Sequence, residues 1–415
     1  MLTLDEARAA MLAHIAPTAD RERVSLGDAV GRVIADDLHA RVDHPPFDNS
    51  AMDGYALRVA DAVERSGTLR VIGESRCGQA PVALTPGSTM RIFTGAPLPA
   101  GADTVAIQEN VIREGDAARL TGAPNRGEHI RRRAEDFAAG ALLYARGARI
   151  RIVDLGVLAT AGHADVTVWR RPRAIVFATG DELCPLGNPL SPGQVYESNR
   201  QVTMAQLTAL GADVTDGGVI PDALPAVASA LKAAQNFDFI VTSGGASVGD
   251  YDLVQHALAD IGRVYFWKVR IKPGKPVAFG RLGAQGHFFA LPGNPVSSLV
   301  TFKLFVEPAV MAWQHSQSEW VEFDAVALHD FKREPGRMEF LRAHLSIEGG
   351  AWRARALAQQ GSHMIGALRA TNGLIKLDAD VGGFATGERV RVLPLACHLH
   401  SGEAFAQTKV RPQEP

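Results

Sequence analysis

Between Arg173 and Trp313, short apolar runs alternate with helical stretches: "RAIVFATG", "NRQVTMAQLTALGA", "FDFIVTSGG", "YDLVQHALADIG", "HFFALPGNP", "VSSLVTFKLFVEPAVMAW". This rhythm predicts a parallel sheet covered by helices on both faces, because parallel strands need helical crossovers and lose both faces to them. In such sheets a ligand sits outside the carboxyl ends of the strands. Three of those ends are polar and glycine-rich. "ATGDEL" carries Thr179, Gly180, Asp181 and Glu182; "TSGGASVGDYD" carries Gly244, Gly245, Ser247, Gly249, Asp250 and Asp252; "LPGNPVSS" carries Gly293, Asn294, Pro295, Ser297 and Ser298. Such turns aim backbone N–H groups and a helix N-terminus at one point, which suits a phosphate or another anion. There is no GK[ST] and no GxGxxG, so neither a Walker loop nor a dinucleotide fingerprint is present. Asp252 with Gln255 could be only a helix cap, and Asn294-Pro295 only a cap and first-turn proline. Three such turns in one domain favour a shared ligand site over separate caps.

The remaining chain differs in texture. Residues 44–140 are punctuated by Pro and Gly every few residues, as in a small β-rich domain. Helix and strand signals return near "LLYARGARIRIVDLGVLATAGHADVTVW" and suggest that 141–172 rejoin 1–43, making the β-rich part an insertion. From about residue 321 to 415 the pattern is β again, with "EGGA" as a hairpin turn, which predicts a small C-terminal barrel or sandwich. The expected fold is therefore multi-domain α/β and β: an N-terminal helical and extended domain (1–43 plus 141–172), an inserted β-rich domain (44–140), a parallel-sheet α/β domain (173–320) and a C-terminal β-barrel-like domain (321–415).

"FWKVRIKPGKPVAFG" places Lys268, Arg270 and Lys272 at period two, so one strand face would carry three cations, with Lys275 in the next turn. Lysines also protect solvated edge strands. The flanking Phe266, Trp267, Val277 and Phe279 instead suggest a central strand, where clustered cations call for an oxyanion or phosphate. In the β-rich part, "DNSAMDGYA" holds Asp53, "FTGAP" holds Thr94 and "RRRAED" holds Asp136. On composition alone these are ordinary turns.

The formal net charge of -2 gives no global attraction for nucleic acid or an acidic membrane, so any anion must meet a local basic patch. Cys77, Cys184 and Cys397 are scattered and form no CxxC, which fits a reducing cytoplasm and supports neither a disulfide framework nor a zinc site. The N-terminus reads as a helix rather than a signal peptide. Thr3 and Glu6 can form a capping box, Leu4, Ala7, Met11 and Ile15 share a face, and Pro17 ends it. No stretch approaches the roughly 20 apolar residues of a membrane span.

Taken in order, "PPFDNSAMDGYAL", "FTGAPLPAGADTV", "GDEL", "TSGGASVGDYD", "KPGKPVAFG", "LPGNPVSS" and "QGSHMI" resemble the molybdopterin molybdenumtransferases, the family of MoeA and the gephyrin E domain. The resemblance runs over nearly the whole chain. Two departures are visible: Ala246 and Asp250 stand where members commonly have Val and Glu, and Ala134 stands where they commonly have Gly. The resemblance implies an L-shaped homodimer of four-domain chains, with a molybdopterin-binding α/β domain. It also implies adenylylated molybdopterin and molybdate as substrates, Mg²⁺ as cofactor, and AMP as a product. By motif, Asp53, Thr94, Asp136, Glu182, Asp222 and Asp252 match the family's functional positions. Lys268, Lys272, Lys275, Ser297, Arg342 and Ser362 match positions linked to molybdate or phosphate. Asp250 and Asp252 would supply carboxylates to Mg²⁺. Contact with the upstream adenylyltransferase is a possible partnership. Three rival readings are that adenylyltransferase, a nucleotide pyrophosphatase on a related α/β domain, and a non-catalytic dimeric scaffold of the gephyrin E-domain type. The β-rich insertion and "QGSHMI" argue against the first two, and retention of the motif acids argues against the third.

Overall fold

The computed structural model describes residues 1–244, 256–258, 261–316 and 321–395. The chain divides into two compact units, residues 1–22, 31–33 and 169 onward, and residues 23–30 and 34–168.

The first unit contains a six-stranded sheet in the order Asp213–Ile220, Arg173–Thr179, Phe239–Ser243, Gly286–Leu291, Ala278–Leu282, Gly262–Trp267. The first four strands are parallel. The fifth, Ala278–Leu282, runs antiparallel to both its neighbours, which differs from the all-parallel expectation. The cause is local: only residues 283–285 separate Leu282 from Gly286, its ladder partner, too few for a crossover. Helical residues Leu207, Val296 and Val300 pack on one face and Val227, Leu231, Ala257 and Leu258 on the other.

The lysine stretch also departs from expectation. Gly262–Trp267 is an edge strand, not a central one. Its ladder stops at Trp267, and Lys268 takes a φ of 68°. Val269 and Ile271 are fully buried while Arg270 and Lys272 face out, so the alternation is real, but it runs along an irregular segment. Ile271–Lys272 then pairs in parallel with Met338–Glu348 of the next sheet. The three cations therefore do not share one strand face.

The N-terminal helix Leu4–Leu12 has the Thr3–Glu6 capping box, and it ends before Pro17 is reached. Leu4, Ala7, Met11 and Ile15 join Val176, Phe239 and Phe289 in the α/β core. This apolar stripe groups residues 1–22 with the α/β sheet, whereas residues 141–168 fall in the second unit. Residues 295–313 form one helix long and apolar enough to cross a membrane by length and composition; 67% of its apolar window is buried inside the protein, and core packing accounts for its hydropathy. After it, Met338–Glu348, Ala351–Ala356, Phe323–Ala327, Arg389–Pro394 and Gly373–Leu377 follow one another around a closed five-stranded barrel. Gly349 and Gly350, with φ of 60° and 75°, form its tight hairpin.

In the second unit, Leu38–His39 pairs with Leu142–Tyr144, and Ile34, Leu38, Ile150, Leu158 and Val166 share a core. The chain leaves this core at His44, whose N–H donates to Phe137 O at 2.8 Å on the return. Residues between carry a sheet in the order Thr104–Ile107, Gly54–Leu57, Ser88–Ile92, Thr68–Ser75, Ala117–Leu120, Val111–Glu114.

Candidate active site

The first strand of the α/β sheet, Arg173–Thr179, lies between the second and the third, so the strand order reverses between Arg173–Thr179 and Phe239–Ser243. A crevice is expected at that reversal, outside the carboxyl ends. The structure gathers the sequence-predicted turns there. Gly244 N–H donates to Leu291 O at 3.1 Å. Its φ is 91°, and a Cβ would stand 2.4 Å from Thr179 O, so only glycine fits. A Cβ on Gly293 would lie 3.8 Å from Gly244 Cα. Asn199 Nδ2 fixes this third turn by donating to Gly293 O at 2.7 Å. Asp222 follows the neighbouring parallel strand, and its N–H donates to Asp181 Oδ1 at 3.1 Å; Asp181, Glu182 and Asp222 are all exposed at this edge. Gly245, Ser247, Gly249, Asp250 and Asp252 lie outside the described residues.

Asn294 also opens onto a second feature, a cleft of about 300 Å³, near the lower end of small-molecule sites. Lys272, Lys275, Asn294, Ser297, Arg337, Glu339, Arg342, Gln360 and Ser362 are among its lining residues. Arg342 is only 1% exposed. Its Nη1 donates to Gly361 O at 3.1 Å, and Nη2 donates to Gln359 O. Its Nε is buried without a partner, and no carboxylate faces it among the described residues. Burial pushes the guanidinium below its usual range. Arginine nonetheless keeps its charge in proteins, so a counter-ion is called for. Lys275 is exposed, and Lys272 pairs with Glu339 at 2.8 Å. Asn294 is the N-cap residue of Pro295–Thr301, but its side chain makes no capping bond. Lys268 is absent from the lining, half-buried after its strand ends. Arg337, Glu339 and Gln360 were not evident from sequence. Glu339 and Arg342 sit three apart on one strand, a spacing that alternation assigns to opposite faces.

In the second unit, Asp53 Oδ1 accepts from Thr94 N at 2.7 Å and from Thr94 Oγ1 at 2.9 Å. These two bonds, backbone first, and the charge of Arg91 hold the Asp53 carboxyl below the ordinary range. Ser50 ties the neighbouring segments together: its O accepts from Gly95 N at 2.8 Å, and it pairs with Ile130 across a short ladder. Asp48 accepts from Arg133 N at 2.8 Å and from Arg132 Nη1 at 2.7 Å, anchoring "RRRAED". Asp136 is exposed, its N–H donating to His44 O at 3.0 Å. Among the described residues, no three His, Cys, Asp or Glu side chains form a metal-binding group.

An α/β domain with helices on both faces, a cleft lined by Lys272, Lys275 and Arg342 beside a small barrel, and a separate β-rich unit together give a multi-domain architecture of α/β and β parts. Family models described as the MoeA N-terminal region (domains I and II), the probable molybdopterin binding domain and the MoeA C-terminal region (domain IV) match residues 2–162, 175–312 and 324–395. The molybdopterin molybdenumtransferase of Haemophilus influenzae is 39% identical over 95% of this chain and 98% of its own length. The protein of the same name from Nostoc is 35% identical over 91% of this chain and 89% of its own. The crystal structure of the MoeA molybdopterin biosynthesis protein from Pyrococcus horikosii superposes with a TM-score of 0.81 at 29% identity, covering 95% of this chain and 99% of that one. The chain belongs to the molybdopterin molybdenumtransferase family.

Proposed function

We propose that this chain inserts molybdenum from molybdate into adenylylated molybdopterin, releasing AMP and forming molybdenum cofactor. The observation that carries the reading is Arg342, a buried guanidinium without a counter-ion in a cleft that also presents Lys272 and Lys275. A tetrahedral oxyanion supplies the missing charge and accepts the available N–H donors. Ser297 and Ser362 line the same cleft. The glycine turns at Gly244 and Gly293, beside Asn294, suit the phosphates of the adenylylated substrate at the strand-order reversal. As the family resemblance implies, Asp53, Thr94 and Asp136 are proposed to serve the site of a partner chain, with the Thr94 bonds lowering the Asp53 pKa.

Mg²⁺ fits this reading. The described carboxyl edge offers exposed Asp181, Glu182 and Asp222 as hard oxygen donors, the type that Mg²⁺ prefers. Asp250 and Asp252, next along the chain after the glycine turn, are the proposed direct ligands. When bound, the ion neutralises charge on phosphoryl oxygens. We further propose a homodimer in the cytoplasm that receives its substrate from the upstream adenylyltransferase. Ile152 and Val153, 76% and 67% exposed, give the second unit an apolar surface suited to cover by a second chain. The test is incubation with adenylylated molybdopterin, Mg²⁺ and molybdate. AMP release that requires both inorganic components supports the reading, and molybdate-independent or absent release refutes it.

A further inference from the structure

Glu339 is out of place in an anion cleft. It lines the cavity at 4% exposure, where its charge opposes any bound oxyanion. Its two oxygens show what it does. Oε1 faces Lys272 Nζ at 2.8 Å, and Oε2 faces Arg333 Nη1 at 3.5 Å. Arg333 is itself fixed, with Nη1 donating to Arg337 O at 2.6 Å and Nη2 donating to Asp378 O. Backbone register reinforces the contact, since Lys272 and Glu339 are direct partners in the parallel ladder of Ile271–Lys272 with Met338–Glu348. The chain of contacts runs from two barrel carbonyls through Arg333 and Glu339 to the ammonium at the cleft wall. Lys275 lines the same cleft and has no ion-pair partner among the described residues.

We propose that Glu339 is a positioning residue: it holds Lys272 Nζ at the place where the cleft binds its oxyanion, so that Lys272 contributes only while Glu339 fixes it. This rests on the oxyanion reading of the cleft. A lysine ammonium has three donors, and Glu339 takes one, leaving two for the ligand. Fixing the long side chain in advance removes the entropy that ligand binding would otherwise have to meet. If Glu339 were only an opposing charge, its removal would tighten anion binding by raising the positive potential of the cleft. The two accounts predict opposite signs.

The experiment measures molybdate dissociation constants by equilibrium dialysis on the full chain, without turnover, for wild type, Lys272→Met, Glu339→Gln, Glu339→Asp and the Lys272→Met/Glu339→Gln double variant. We expect Lys272→Met and Glu339→Gln each to weaken binding on the order of tenfold, the usual effect of losing one charge-assisted hydrogen bond. The double variant should be no weaker than Lys272→Met alone, because both changes remove the same interaction. Glu339→Asp keeps the charge but withdraws it by one methylene, and should also weaken binding; it decides the question if Glu339→Gln does not fold. Tighter or unchanged binding in Glu339→Gln, wild-type binding in Glu339→Asp, or additive losses in the double variant overturns the proposal. A wild-type chain that binds no molybdate refutes the oxyanion reading instead.

Discussion

Ala134 holds a φ of 59°, a left-handed conformation that brings the Cβ of an L-residue too close to the following carbonyl. Its N–H donates to Pro45 O at 3.0 Å, so the turn keeps that shape. Ala134→Gly should therefore stabilise the chain by about 0.5–1 kcal/mol, the relief of strain less the added freedom of the unfolded glycine. Differential scanning calorimetry reads this as a higher Tm; a lower one would mean that the turn relaxes around alanine. The second residue-scale prediction concerns Asp53. Its carboxyl lies below the ordinary 3.8 first because of the Thr94 N–H and second because of the Thr94 hydroxyl. Thr94→Val keeps the first bond and removes the second, so the Asp53 pKa should rise partway. A depressed carboxylate contributes stability above its unfolded pKa and loses it as pH falls through the folded pKa. In Thr94→Val that loss should be smaller and complete at higher pH, and the acid limb of the rate profile should move up with the folded pKa. A carboxyl-carbon NMR titration of Asp53 checks the direction. Position 134 was legible only through the family resemblance, whose members commonly have glycine there, the residue suited to a positive φ. The Asp53–Thr94 bond was not, since the two residues are 41 apart and each sits in an ordinary-looking turn.

At the scale of elements, Asn294 separates a structural cap from a ligand group. It occupies the N-cap position of Pro295–Thr301 with extended backbone, yet its side chain bonds no helix N–H. Asn294→Ala should thus cost well under the ~1 kcal/mol expected of a lost cap. It should lower AMP release about tenfold if the side chain meets substrate, as the loss of a hydrogen bond to a charged group would. Urea denaturation and the turnover assay together decide it: a full cap penalty with normal turnover would assign Asn294 to the helix alone. The strands and helices of the α/β domain were legible because continuous apolar runs such as "RAIVFAT" and "FIVTS" have one stable use, a sheet buried on both faces. The lysine stretch was misread because alternation reports which side chains face inward, and Val269 and Ile271 do, but it does not report pairing. The antiparallel strand was hidden in loop length: three residues after Leu282 forbid a crossover that composition alone permits. The cleft itself depends on the pairing of Ile271–Lys272 with Met338–Glu348, a contact between segments 67 residues apart that no local pattern announces.

At the scale of the whole molecule, the acids fall in separate compact units of the chain: Asp53 belongs to residues 34–168, and the glycine turns and the cleft belong to the unit from residue 169 onward. Under the proposed homodimer, each of two sites takes Asp53 from one chain and Asp252 from the other. Two-fold symmetry makes this testable, because a closed pair of chains repeats the same composite site twice. Asp53→Ala and Asp252→Ala chains should each be nearly inactive alone. When they are mixed and allowed to exchange, half of the dimers are mixed, and each mixed dimer has one site with both acids intact and one with neither. Turnover should then recover to about a quarter of wild type at full random exchange. The assay is AMP release before and after exchange, with heterodimers counted by native mass spectrometry of chains of unequal mass. If both acids act within one chain, no site in a mixed dimer is intact, and confirmed exchange leaves activity at the level of the separate variants.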